Sequence, residues 1–244
     1  MKNTVIIIPT RLGAKRFPNK PLAKIKNIPM IVHVLNKAKE SGVGDVFVAT
    51  PDKEIIDIVE QYGGNVVMTS NEHFSGSDRV YEAYTKSVDS KKVDLIINLQ
   101  GDMPNIEASS ITKLEKFMRN EKSDIGTLAS VIKNKDEIDN PNIVKLEVDK
   151  ELGDDAFLEV KDFFRTRKNL DNKKIYHHIG IYAYTNLALS KYVKLLRSKL
   201  EIERNLEQMR AMENNIKIKV AFSKSSPLGV DTEEDLKEVI KKMN

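Results

Sequence analysis

Cysteine is absent from this chain, which excludes a disulfide framework, thiolate chemistry and a zinc–thiolate site. Long apolar runs are lacking too: none approaches the roughly 18 residues of a membrane-spanning helix. The first residues pass straight into an apolar strand pattern, with no secretory-leader pattern ahead of it. A soluble, cytoplasmic protein without a membrane partner is the expectation. An excess of one charge is also missing. Forty basic residues face thirty-six acidic ones, a net charge of +4. The basic residues are neither gathered in one long run nor interleaved with aromatics, which argues against nucleic acid as a partner. Gly42-Val43-Gly44 precedes a strand and has no third glycine, so no dinucleotide fingerprint is present, and no Gly-x-x-x-x-Gly-Lys phosphate loop occurs. His33, His73, His177 and His178 have no zinc-ligand spacing. Repeats, low-complexity tracts and linkers are absent from the 244 residues, which points to one domain, 1–244, with an elaborated second half.

What is present reads first as alternating strands and helices. Val5 to Ile8 is a β-branched run suited to a strand buried on both faces. A helix follows from Pro29, which suits a first turn, to Ala38, with Gly42 as its stop. Next come a strand over 45–50, a helix over 53–61 with Asp52 as its cap, and a strand over 65–68. A helix after Gly76, a strand over 94–99 and a helix over 109–119 complete a right-handed, doubly wound α/β pattern. From Ile125 the rhythm changes. Extended stretches over 127–132, 143–148, 156–160 and 176–184 carry fewer helices between them, with turn signals at Asn140-Pro141-Asn142 and Gly153-Asp154-Asp155. Thr185 or Asn186 can cap the helix that follows. A long charged helix over 200–214, a strand over 216–222 and a final amphipathic helix from Glu233 close the pattern.

Several stretches could carry chemistry. The loop after the first strand holds Arg11, Gly13, Lys15, Arg16 and Lys20, stiffened by Pro9, Pro18 and Pro21. Fixed cations at the carboxyl end of a strand in an open α/β sheet suit a ligand with several negative charges. Gln100-Gly101-Asp102 ends a strongly apolar strand, and reads equally as a turn or as a carboxylate placed to hold magnesium on phosphates. In Gly229-Val230-Asp231-Thr232, either Asp231 or Thr232 is a good N-cap for an acidic first turn, and on the residues alone capping is favoured. Gly76-Ser77-Asp78-Arg79 reads as a helix start with Ser77 as the cap. His178 beside a strand is by itself more often a satisfied structural residue, and Leu206-Glu207-Gln208-Met209 lies on an amphipathic helix with Leu206 and Met209 inward.

Taken together, these stretches resemble the sugar nucleotidyltransferases, most closely the CMP-3-deoxy-manno-octulosonate (CMP-Kdo) synthetases. Arg16-Phe17-Pro18-Asn19-Lys20-Pro21-Leu22 is similar to that family's Arg-x-Pro-Gly-Lys-Pro-Leu core. Asn19 replaces a glycine, and asparagine is the side chain that best tolerates a left-handed backbone. The resemblance runs from Val5 to Leu236. It implies a nucleotide-diphospho-sugar transferase-like Rossmann variant with a mostly parallel sheet and a smaller mixed β subregion for sugar binding and dimerisation. It implies Mg²⁺ held by Asp102 and Asp231, with Lys20, Arg11, Arg16 and Asp102 catalytic. By the same resemblance, Arg11, Gly13, Lys20, Arg79 and Gln100 contact nucleotide. Arg16, Arg79, Gln100, His178, Tyr182, Glu207 and Gln208 contact the sugar acid. The implied activity is transfer of CMP from CTP to Kdo, with release of pyrophosphate, by a homodimer. Two departures bear on the sugar acid: Met103 stands where the family has a glutamate, and the segment 156–167 replaces a Phe-Ser-Arg stretch, with Lys161, Arg165 or Arg167 at the arginine's place. A related acid (an amino-substituted Kdo or a nonulosonic acid) is therefore the alternative substrate, and an inactive nucleotide-binding module the alternative class.

Overall fold

The computed structural model describes residues 3–13, 16–87, 92–168, 170 and 173–243. The chain forms two compact units, Met1–Thr112 with Pro227–Asn244, and Lys113–Ser226. The elements of the first are β1 (Thr4–Pro9), a 3-10 turn (Lys20–Leu22), the hairpin β2 (Lys24–Ile25) and β3 (Ile28–Pro29), α1 (Met30–Ser41), β4 (Asp45–Thr50), α2 (Lys53–Gln61), β5 (Asn65–Met68), α3 (Gly76–Ser87) and β6 (Leu95–Asn98). The helix α4 (Ala108–Asn120) comes next. The second unit holds β7 (Ile125–Ser130), α5 (Lys135–Asp139), β8 (Lys145–Val148), β9 (Phe157–Phe164), β10 (Lys174–Thr185), α6 (Asn186–Tyr192), α7 (Lys199–Arg204), α8 (Met209–Glu213) and β11 (Ile218–Phe222). The chain then returns to the first unit with α9 (Glu233–Lys242).

Strands of the first unit run parallel in the order β5-β4-β1-β6. The chain winds from β1 through β4 to β5 on one side, then crosses to place β6 on the other side of β1. Right-handed crossovers in opposite directions put helices on both faces, which is the doubly wound arrangement. The reversal lies between β1 and β6, and a ligand crevice opens at the carboxyl ends of strands at such a point. β1 is buried along its whole length, as its unbroken apolar run requires. Pro29 lies just outside α1, pairing with Lys24 in the hairpin, rather than in the first turn. Gly42 ends α1 in the left-handed region (φ 59°), its N–H reaching the Lys39 carbonyl.

In the second unit β10 pairs with β7, β7 with β11, β11 with β9, β9 with β8, and β8 again with β10, so the five strands close into a ring. Only β11–β7 is parallel, the mixed β region that the sequence suggests. The expected long helix over 200–214 is two short ones. Asn205 adopts a left-handed conformation (φ 51°) after α7, and Arg210 of α8 turns back to donate two hydrogen bonds to the buried Glu201 carboxylate, at 2.8 and 2.7 Å. Thr185 is the cap of α6, accepting from the Ala188 N–H at 3.1 Å.

Candidate active site

Three segments of the first unit build the site, each for a local reason. The loop after β1 is fastened where the Thr10 N–H donates to the Ala49 carbonyl (3.0 Å) and the Asn19 N–H to the Leu12 carbonyl (3.1 Å). Asn19 is left-handed at φ 57°, as the sequence suggests, and this turn starts the 3-10 segment that aims Lys20 inward. Lys20 Nζ donates to Asp102 Oδ2 at 2.9 Å, to the Val230 carbonyl at 2.5 Å and to Asp231 Oδ1 at 3.4 Å. Arg16 reaches the other oxygen of Asp231 at 2.8 Å. Lys15 lies outside the described residues.

The second segment follows β6. Gly101 lets the two strand ends approach: a Cβ there would sit 3.1 Å from the Pro9 carbonyl and 3.2 Å from Thr10 Cβ. The third is the return of the chain into α9. Val230 and Val239 pack with Ile25 and Met30, and Phe17 and Leu236 pack against them, so an apolar cluster holds the loop and the return together. The Val230 N–H donates to the Asp102 carbonyl at 2.9 Å. Capping of α9 falls to Thr232, in a reciprocal box with Asp235. Asp231 is thereby free of the capping role that the sequence allowed it, and its carboxylate meets Lys20 and Arg16 instead.

A cavity of about 260 Å³ opens beside this cluster, with Arg11, Lys20, Arg79, Gln100 and Asp102 among its lining residues. Ser75 caps α3 by accepting from the Asp78 N–H (3.2 Å); Ser77, expected in that role, is instead buried in the first turn, because the helix starts at Gly76. Arg79 is buried and donates to Thr69 Oγ1 and the Ser70 carbonyl. Burial and the nearby charge of Arg11 lower its pKa, while Asp52 and Glu82 act in the opposite direction. Glu82 anchors the same segment, accepting from the Ser70 N–H and pairing with His73 and Lys86. Burial raises its pKa, but the hydrogen bonds outweigh burial and bring it to about 2. Gln100 donates to Asn98 Oδ1 at 3.0 Å.

The structure thus brings Arg11, Lys20, Arg79, Gln100 and Asp102 to one cavity, with Asp231 joined to it through Lys20 and Arg16 through Asp231. Gly13 is exposed and is not among the lining residues. Sequence reasoning missed Thr10, His73, Phe74 and Ser75, which line the cavity without belonging to a motif assigned to the site, and Asp52, whose position before a helix signalled only a cap but whose Oδ2 accepts from the Leu12 N–H of the β1 loop. Met103 is buried at 4% exposure and offers no carboxylate.

His178, Tyr182, Glu207 and Gln208 lie in the second unit. His178 Nε2 is 3.1 Å from Thr127 Oγ1, whose single proton goes to the Ile181 carbonyl at 2.7 Å, so Nε2 carries the imidazole proton. Burial, reinforced by His177, pushes its pKa down to about 3 and keeps the ring neutral. The Tyr182 hydroxyl is buried without a hydrogen-bond partner among the described residues, and burial raises its pKa. The Glu207 carbonyl accepts from the Tyr192 hydroxyl at 2.8 Å, and Gln208 precedes α8. The cations proposed for the sugar acid all have partners here. Lys161 pairs with Asp149, Arg165 donates to the Pro141 carbonyl, and Arg167 pairs with Glu147 and Asp162.

Clustered guanidinium and ammonium groups facing two carboxylates suit a polyphosphate that carries a divalent cation. The profile of the cytidylyltransferases matches residues 5–218. The chain belongs to this family. A 3-deoxy-manno-octulosonate cytidylyltransferase from Thermodesulfovibrio yellowstonii is 43% identical over 250 residues, covering 99% of this chain and 98% of the relative. Another, from Brucella canis, is 42% identical over 233 residues, covering 96% and 92%. A solved structure of CMP:2-keto-3-deoxy-manno-octonic acid synthetase complexed with CTP is 35% identical, covers 98% of each chain and has a TM-score of 0.88. The cytidylyltransferase match takes in the β1 loop and Asp102 but ends before Asp231, which the structure places beside Lys20. Among the described residues of this cytidylyltransferase, no helix is long and apolar enough to cross a membrane.

Proposed function

We propose that this chain transfers CMP from CTP to the anomeric hydroxyl of Kdo, releasing pyrophosphate and yielding CMP-Kdo for lipopolysaccharide synthesis. The observation that carries the reading is Lys20 Nζ, shared by Asp102 and Asp231 beside the arginine-lined cavity at the β1/β6 reversal. The names of the similar proteins, and the CTP bound in one of them, support the choice of nucleotide and acid.

Nucleotidyl transfer depends mostly on positioning and on neutralising charge. Arg11, Arg16 and Lys20 offset the triphosphate, and Lys20 follows the charge that grows on the leaving pyrophosphate. Arg79 and Gln100 orient the nucleotide or the acid from the cavity wall; for His178, Tyr182, Glu207 and Gln208 of the second unit, a role toward the acid rests on the family resemblance alone. Asp102 and Asp231 are the proposed Mg²⁺ ligands. Their carboxylates already face one cation, Lys20 Nζ, and hard oxygen donors suit this metal. Mg²⁺ takes one or two protein carboxylates and completes its shell with water and substrate, so two aspartates suffice. Bound Mg²⁺ supplies Lewis-acid polarisation of the phosphate oxygens.

Met103 and the engaged cations of the 156–167 segment favour a second reading, in which the acid is a relative of Kdo. A panel of Kdo, amino-substituted Kdo and nonulosonic acids, each with CTP and Mg²⁺, decides between them by pyrophosphate release. Turnover with Kdo supports the first reading. Preference for another acid supports the second, and no turnover with any acid rejects both. A cytoplasmic homodimer belongs to the same proposal. Leu206 and Met209 are core rather than interface, whereas Leu187, Leu196 and Ile202 are exposed and available to a second copy.

A further inference from the structure

Asp52 occupies the N-cap position of α2, yet its carboxylate makes no cap hydrogen bond. Its Oδ2 accepts instead from the backbone N–H of Leu12 at 2.7 Å. The other fastenings of this loop described above are backbone pairs, Thr10 to Ala49 and Asn19 to Leu12. Both peptide groups of Leu12 are therefore held, one of them by a side chain that forgoes its usual helical role. Arg11, the next residue back, lines the cavity, as does Arg79. The charge of Asp52 also acts on Arg79, against the effect of Arg11.

We propose that Asp52 is a positioning residue for the triphosphate: it fixes Leu12, and through it Arg11, before the nucleotide arrives. It touches no reacting atom. The CTP part of this inference rests on the proposed function; the anchoring of Leu12 does not.

Three variants separate the roles. Asp52→Asn keeps an acceptor for Leu12 and a good cap, Asp52→Ser keeps a cap but is too short to reach Leu12, and Asp52→Ala removes everything. Amide exchange at Leu12 is read on the nucleotide-free protein by NMR, and KM and kcat for CTP are read from pyrophosphate release. Asp52→Ser and Asp52→Ala are expected to speed Leu12 exchange and raise KM by about tenfold, the worth of one hydrogen bond to a charged acceptor. Asp52→Asn is expected to keep Leu12 protected, with a smaller rise in KM. If Asp52→Ser restores both exchange and KM to wild-type values, the residue is only a helix cap and the inference is overturned. Should Asp52→Ala fail to fold, the serine and asparagine variants decide. Wild-type protein that does not turn over CTP overturns the proposed function, whereas unchanged Leu12 exchange beside normal turnover overturns the positioning role alone.

Discussion

Lys20 is the cation that Asp102 and Asp231 share, and its side chain is only 13% exposed. If it acts on charge developing at the phosphates, Lys20→Met should lower kcat by about a hundredfold or more, and a change confined to KM would contradict that role. Asp102→Ala should lower kcat by at least about a thousandfold, read as pyrophosphate release. His178 supports a prediction about acid stability. Its folded pKa, about 3, lies below the ordinary value of 6.5, so between these pH values the unfolded chain binds a proton that the folded chain refuses. Stability should therefore fall as the pH drops from 6.5 towards 3, by up to about 1.4 kcal/mol per pH unit from this group. His177, also lowered by burial, adds to the same slope. His178→Gln, which can keep a donor near Thr127, should flatten the dependence in urea titrations; an unaltered slope would show that His178 titrates normally. Much at this scale was legible. The left-handed Asn19 followed from its place in the loop motif, and the cations of the loop from their types. The partner of Asp52 was not, because a carboxylate before a helix signals a cap whether or not it caps.

Among the elements, the caps and turns decide which carboxylates reach the site. Thr232 takes the α9 cap, and Thr232→Ala should lower unfolding stability by about 1 kcal/mol. Asn19→Gly should be close to neutral, whereas Asn19→Val should cost about 1–2 kcal/mol in denaturant melts, since a β-branched side chain resists the left-handed backbone. An equal effect of glycine and valine would mean that the turn is not held in that conformation. Strands β1, β4 and β5 and helix α2 were readable because each is an uninterrupted apolar or amphipathic run between clear stops. The division of 200–214 into α7 and α8 was not readable. Its periodicity continues across Asn205, and the break is fixed by Arg210 folding back on Glu201, a contact between side chains that no helical spacing announces.

On the scale of the whole molecule, the parallel order of the first unit follows from short right-handed crossovers, which the alternation of strand and helix patterns reveals. The ring of the second unit depends on β8 meeting both β9 and β10, pairings between distant segments that local sequence does not encode. The convergence of Asp102 with Asp231 was visible only through family resemblance, and the apolar cluster around Val230 and Val239 is its physical cause. The proposed homodimer is checked by sedimentation equilibrium, where a monomer at micromolar concentration would reject it. A double-mutant cycle on pyrophosphate release, comparing Asp102→Asn, Asp231→Asn and the pair, tests the central claim most directly. If the two carboxylates serve one ion on one triphosphate, the double variant should be little slower than the slower single variant. Losses that multiply, or a single variant with wild-type turnover, would contradict it.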